Sequence, residues 1–339
     1  MNTSNNSVNV NFNSSGDTIV SLCAPSSFQT VRFWTYLFFD ISSLICTFLD
    51  LYYLLVDRKL RRALNNHVII VLLIVGCIDE LTNITWTLYN DHNGTPLIKS
   101  YTFYSFWAFI NLGFNSLQVE LFAWATIERH ILIFHSHWIG TKAKRFFLHY
   151  FPIGAIVIYY LIYYSFVFFY PFCESSFEVF LAGGFHIPCV FDHTVLGMWD
   201  LIVHQFLPTV IIVLFSMALL IRAILQKNRL RQGVHWRKHK KMITQLLSIS
   251  AVYVIFNVPW VLVIFAYQYG LPTDIATVAL MYTGFLYYFV IFLFPFVYCL
   301  SLSELRSKMA EKLLFRSGAQ QVGPTTPTVR QRTDGRVGY

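Results

Sequence analysis

The chain has 339 residues, of which 56% are hydrophobic and only 12% are Asp, Glu, Lys or Arg. Soluble globular domains carry about 25% charged residues, so this composition excludes an ordinary water-soluble domain and favours a protein embedded in lipid. The net charge of +8 does not indicate a nucleic-acid-binding protein, because the basic residues lie at the ends of apolar segments and form no single surface.

Residues 1–31 are rich in Asn and Ser and lack the apolar core of a cleavable signal peptide. We predict an extracellular amino-terminal segment that is N-glycosylated. The Asn-x-Ser/Thr sequons of this segment and of the first outer loop begin at Asn2, Asn5, Asn13 and Asn93. A further sequon at Asn83 falls within an apolar segment, where we expect no glycan.

Seven apolar segments follow, each long enough to cross about 30 Å of hydrocarbon as an α-helix. Only helices or closed barrels satisfy every backbone polar group in lipid, and these segments lack the alternation of barrel strands. We therefore predict an all-α membrane protein, with a seven-transmembrane helical bundle over residues 32–300. The predicted spans are 32–56, 67–89, 103–134, 146–170, 199–224, 239–267 and 275–300.

The orientation follows from the basic residues. All but Arg32 and Lys99 of the 25 Lys and Arg residues lie on one side of these spans. Because basic loops stay in the cytoplasm, the amino terminus is predicted to be extracellular and the carboxyl terminus cytoplasmic. We expect a multi-pass protein of the plasma membrane, with the lipid bilayer as its solvent.

After the last span, residues 301–315 are predicted to form an amphipathic helix on the inner leaflet. Leu305, Met309 and Leu313 share one face of this helix, and its basic residues lie off that face. Residues 316–339 are rich in Gly, Pro, Thr, Gln and Arg, so we predict a disordered cytoplasmic tail.

Four spans carry short motifs at their inner ends or interiors. The third ends on Glu128-Arg129-His130, the fifth contains Pro208, the sixth contains Phe256-Asn257-Val258-Pro259, and the seventh contains Phe294-Pro295-Phe296-Val297-Tyr298. An intramembrane proline removes a backbone hydrogen bond and kinks the helix, which gives the bundle a place to pivot.

In topology and motifs, residues 30–315 resemble a rhodopsin-like (family A) G-protein-coupled receptor. The resemblance implies a receptor that transduces an extracellular ligand, of peptide or chemosensory type, to a heterotrimeric G protein. It implies hinges at Pro208, Pro259 and Pro295. It also implies a coupling switch formed by Glu128, Arg129, His130, His239 and Tyr298.

The chain departs from this family at several positions. No cysteine stands at the start of the third span, where the family anchors its outer disulfide. Cys173 and Cys189 of the second outer loop are candidates to pair with each other, or one of them with Cys23. Val75 stands at the family's sodium-site Asp position, so we expect a divergent receptor without a conventional sodium site.

Polar residues inside the membrane are costly and are candidates for function. We interpret five of them as candidates for the ligand cavity: Asn111, Asn115, Asn257, Asp79 and Glu80. The alternative for each is a hydrogen bond between helices. The many aromatic residues of the fourth and seventh spans are interpreted as helix packing.

Two other classes of function each have some support in the sequence. Seven of the 11 histidines are predicted on the cytoplasmic side: His67, His130, His135, His137, His149, His235 and His239. A membrane-embedded, histidine-rich metal-dependent enzyme is therefore an alternative, although adjacent His-His pairs are missing. A transporter is a second alternative, but no inverted repeat is visible. We expect no enzymatic activity, no cofactor and no metal site.

Overall fold

The computed structural model describes residues 26–134, 137, 141–170, 194–229 and 233–301. Within these residues there are seven long helical segments and no β-strand, and each segment coincides with a predicted span. In chain order they are α1 (Ser26–Val56), α2 (Leu64–Asp79, Glu80–Ile84, Thr85–Asn93), α3 (Tyr101–Ala108, Phe109–Phe114, Asn115–Phe134), α4 (Lys142–Arg145, Phe146–Tyr150, Phe151–Phe169), α5 (Thr194–Asp200, Leu201–Phe206, Leu207–Arg229), α6 (Gly233–Gln268) and α7 (Thr273–Tyr287, Phe289–Ser301).

Six of these helices, all but α3, are long and apolar enough to cross a membrane, which indicates a multi-pass membrane protein. The exception contains several polar residues along its middle, among them Asn111, Asn115, Gln118 and Glu120. The first three of these side chains are buried, because α3 is surrounded by α2, α4 and α5. A helix enclosed by protein on most sides does not need an apolar surface for lipid.

The first helix shows the surface that the bundle presents to lipid. Large apolar side chains three or four residues apart are exposed along one face: Trp34, Phe38, Ile41, Ile45 and Phe48. The opposite face packs against α2 and α7. An exposed apolar stripe of this length is stable in a bilayer and would be unfavourable in water.

Local sequence sets where the helices end. The Asp57 side chain accepts a hydrogen bond from the Lys59 backbone N–H at 2.8 Å and caps a short helix, Arg58–Arg62, between α1 and α2. At the other end of α2, Gly94 takes a left-handed φ of 68° and ends the helix. Gly270 has a φ of 97° in the turn between α6 and α7.

Several helices are irregular in their interiors. Each of α2, α3, α4 and α5 contains a π-helical segment of five or six residues, a feature that is frequent at functional sites. Pro208 follows the π-helical segment of α5, Pro259 lies inside α6, and Pro295 lies inside α7. The helical path of α7 is interrupted at Tyr288. The hinge role of the three prolines stays a prediction.

Several predictions fall outside the described residues. They concern the glycosylation sites Asn2, Asn5 and Asn13, the disulfide candidates Cys23, Cys173 and Cys189, the tail 316–339 and all of the surface helix 301–315 except Ser301. The same holds for the side chain of His239. Among the other sequons, Asn93 is exposed at the end of α2 and Asn83 is buried.

Candidate functional site

The two ends of the bundle carry different polar sites, named here after their arginines. At the Arg32 end, a cavity of about 70 Å³ lies between α1, α3, α5, α6 and α7. A water molecule needs about 10–15 Å³ of such volume, so the cavity has room for several waters or a small polar group. It is lined by Arg32, Tyr36, Asn111, Leu112, Asn115, Gln205, Trp260, Leu280, Met281, Gly284, Phe285, Tyr287 and Tyr288.

The cationic residue of this lining is Arg32 of α1, which forms a bidentate ion pair with Asp91 of α2. Its Nε donates to Asp91 Oδ2 at 2.6 Å, and its Nη2 donates to Oδ1. Both side chains are buried. A bidentate arginine–carboxylate pair fixes the plane of the guanidinium as well as its position. The guanidinium that borders the cavity is therefore fixed in orientation, and Asp91 already compensates its charge. The described lining of the cavity contains no carboxylate.

The floor of the cavity is a hydrogen-bonded group centred on Tyr288, where α7 is interrupted. Asn111 Nδ2 donates to the Tyr288 hydroxyl at 2.9 Å, and Asn83 Nδ2 donates to it at 3.4 Å. Trp107 Nε1 in turn donates to Asn83 Oδ1 at 2.8 Å. The group joins α2, α3 and α7, so a molecule that displaces Tyr288 would disturb three helices.

Only two of the five polar residues that were candidates for the ligand cavity line the cavity in the structure. Asn111 and Asn115 of α3 line it. The other three are not part of the described lining. Asn257 Nδ2 donates to Thr209 Oγ1 of α5 at 2.9 Å. Glu80 accepts a hydrogen bond from Ser43 of α1, and Asp79 is fully buried one residue before it.

At the opposite, Arg129 end, Glu128 of α3 begins a chain of hydrogen bonds that continues through α4 and α2 to the short helix Arg58–Arg62. The Glu128 carboxylate is hydrogen-bonded to His149 Nδ1 of α4. His149 Nε2 lies 2.9 Å from His67 Nδ1 of α2, and His67 Nε2 lies 2.9 Å from the carbonyl oxygen of Arg61. The chain runs from a fully buried imidazole to the half-buried His67, which links Glu128 to the edge of the bundle.

Arg129 and Tyr298 lie next to this chain. Arg129 is buried and interacts electrostatically with Glu128 and with the Tyr298 phenol of α7. The Tyr298 hydroxyl is buried and has no hydrogen-bond partner among the described residues. The ring of His130 instead packs against Phe134 and against Phe215 of α5. Of the predicted switch residues, the structure thus brings Glu128, Arg129 and Tyr298 together.

The aromatic residues of α4 surround a buried histidine of α5. His204 Nδ1 lies 2.8 Å from Asp200 Oδ1, and its Nε2 lies 2.9 Å from the Tyr159 hydroxyl. Tyr164 also donates to Asp200, at 3.0 Å. The tyrosines pack the helices together, as the sequence indicated. They do so around the polar pair of His204 and Asp200, which the sequence analysis did not predict. The Asp200-x-x-x-His204 spacing, which places both side chains on one helix face, was the available signal.

No protein-family model and no curated protein matches this chain. The functional argument therefore rests on the residues and their geometry. Of the predicted cytoplasmic histidines, His67 and His149 bond to each other. Among the described residues, the one group of His, Cys, Asp and Glu with metal-ligand spacing contains no histidine.

Proposed function

We propose that the protein is a divergent rhodopsin-like G-protein-coupled receptor. It transduces an extracellular ligand across the plasma membrane to a heterotrimeric G protein. The observation that carries the proposal is that one helix, α3, contributes Asn111 to the cavity at one end of the bundle and the buried Glu128-Arg129 pair to the other. A ligand site and a cytoplasmic switch on one rigid element are what a transmembrane receptor requires.

The proposal requires that α3 also crosses the membrane, which brings the number of spans to seven. Its polar side chains are supported by partners inside the bundle, as the Asn111–Tyr288 hydrogen bond illustrates. The basic residues assign the Arg129 end to the cytoplasm. The exposed Asn93, at the opposite end of α2, is then extracellular and accessible to glycosylation.

The mechanism is a shift between two populations of the bundle. A ligand changes this equilibrium only if it binds one state better than the other. In the cavity it contacts α3 and α7 where Asn111 and Tyr288 join them. When the cytoplasmic end of α6 moves outward, Arg129 leaves the pocket beside Glu128 and Tyr298 and contacts the G protein.

The lining also bears on ligand chemistry. Amine ligands need a carboxylate, and the described lining supplies none. The oriented Arg32 favours a hydrogen-bond acceptor on the ligand. Gln205 Oε1, which has no hydrogen-bond partner among the described residues, favours a donor. Trp260 and Phe285 favour an aromatic or apolar body next to them.

The test measures nucleotide exchange on G proteins of each main class in membranes that contain the protein, during a screen of a ligand library. We expect faster exchange with wild type and loss of the acceleration in Arg129→Ala. The matched control is Arg145→Ala, which removes an exposed arginine at the same end. Equal exchange rates for wild type and Arg129→Ala in every class, with ligands that bind the wild type, would contradict the proposal.

A further inference from the structure

A second polar cluster lies inside the bundle between α1 and α7, away from the cavity. It consists of Cys46 and Asp50 of α1 and Cys299 of α7, all buried. The two sulfur atoms and a carboxylate oxygen lie within 4.8 Å of one another. The i, i+4 spacing of Cys46 and Asp50 places them on one face of α1, and helix packing brings Cys299 to that face.

The carboxylate of Asp50 is the unusual member of this cluster. Its side chain is fully buried, and its described partner is the thiol of Cys299, which is only a weak hydrogen-bond donor. Buried charges in proteins are normally paired or bind metal ions. No Lys, Arg or His belongs to the described cluster. A cation bonded directly to a carboxylate oxygen would give Asp50 the charged partner that the described cluster lacks.

The donor set defines which group fits. Two thiolates and one carboxylate suit a borderline-soft divalent cation such as Zn²⁺, whereas Ca²⁺ and Mg²⁺ require oxygen ligands. A tetrahedral zinc ion with Zn–S bonds of about 2.3 Å holds two sulfurs about 3.8 Å apart. The side chains would therefore close by about 1 Å at most, which a change of side-chain torsion accommodates.

We propose that Cys46, Asp50 and Cys299 form a binding site for a zinc-class divalent cation that links α1 to α7. The ion displaces the thiol protons of the two cysteines, so one M²⁺ enters as two protons leave to solvent. The three protein ligands leave one tetrahedral position for water. The site is independent of the receptor proposal and rests only on the packing of α1 against α7.

The position of the cluster connects it to the Arg129 end. The phenol of Tyr298, one residue before Cys299, interacts electrostatically with Arg129 and also with Asp50 and Cys299. An ion in the cluster would fix the segment of α7 that carries Tyr298 relative to α1. Any motion of α7 near Arg129 then becomes harder.

The test uses the purified full-length protein with a tag that contains no histidine, kept reduced and stripped of metal. Cd²⁺ is added as a spectroscopic probe, because bound cadmium gives an ultraviolet thiolate charge-transfer band, and Zn²⁺ is added in competition. We expect one ion per chain in wild type. Affinity should fall by at least about 10–100-fold in Cys46→Ser, Cys299→Ser and Asp50→Asn, because even outer-shell partners contribute that much.

Cys77→Ser is the matched control, since Cys77 is buried on α2 outside the cluster and its loss should leave the band unchanged. Metal-free melting temperatures of all variants identify any that fail to fold, and only Zn²⁺-induced rises in melting temperature are compared. A cadmium band of equal strength in wild type and Cys299→Ser would overturn the proposal. So would a Cys46–Cys299 disulfide found by peptide mapping of unreduced membranes.

Discussion

His149 of α4 is hydrogen-bonded through Nδ1 to the Glu128 carboxylate of α3. Glu128 lies beside Arg129 in the predicted coupling switch, and the structure adds a partner from a different helix. The acid beside the proposed switch is therefore coupled to α4 and, through His67, to α2. A change at either histidine is expected to reach Arg129.

Replacing His149 with Ala should destabilise the protein, because it leaves the buried Glu128 carboxylate without this partner. A buried polar group left without its hydrogen-bond partner costs about 1–3 kcal/mol, and more when the group is charged. The double variant Glu128→Gln/His149→Ala should recover part of that loss, since a neutral amide is less costly to bury. Apparent melting temperatures in one detergent measure both effects.

His92→Gln serves as the control for this comparison, because His92 is exposed at the opposite end of the bundle. Its melting temperature should match that of wild type. If the single and double variants lose the same stability, the hydrogen bond between His149 and Glu128 makes no contribution.

Tyr288→Phe should loosen the floor of the cavity without changing its shape. The substitution removes the acceptor used by Asn111 and Asn83, and a buried donor left without a partner costs about 1–3 kcal/mol. The control is Tyr282→Phe on the same helix, where the side chain is exposed. The melting temperature of Tyr288→Phe should be lower than that of Tyr282→Phe. Equal melting temperatures would show that the Tyr288 hydroxyl does not stabilise the floor of the cavity.

Gly284→Ala should distort the cavity wall, whereas Gly154→Ala should not. A Cβ atom at Gly284 would lie 3.0 Å from the Trp260 ring, so the indole must move. Overpacking of this kind costs about 1–3 kcal/mol. A Cβ at Gly154 meets no atom within 4 Å, and alanine there should be neutral or slightly stabilising. Melting temperatures, and the signal from any ligand found by screening, compare the pair.

The helical segments could be predicted from the sequence because long apolar runs determine them locally. The prediction of seven spans is confirmed for six helices. The remaining helix, α3, is less apolar because its polar side chains face other helices instead of lipid. The predicted ends differ from the structure: α1 begins at Ser26 instead of residue 32. Local caps and turns, rather than hydropathy, decide these ends.

The site could be predicted only in part, because its contacts join residues far apart in the chain. Asn111 and Asn115 share a helix face, so their common position was visible from their spacing. The pairing of Asn111 with Tyr288, or of Glu128 with His149, depends on how helices pack. No periodicity within a single helix contains that information.

The ion pair between Arg32 and Asp91 should be required for the Arg32 end to assemble, because each charge is buried and compensated by the other. Asp91→Asn should lower the melting temperature by an amount equivalent to about 3–5 kcal/mol, and Arg32→Lys should also destabilise, because lysine cannot form the bidentate contact. The exchange variant Arg32→Asp/Asp91→Arg should be more stable than either reversed single variant. Lys99→Gln, which removes an exposed basic residue at the same end, is the control. An exchange variant no more stable than the single variants would show that the pair does not stabilise this end.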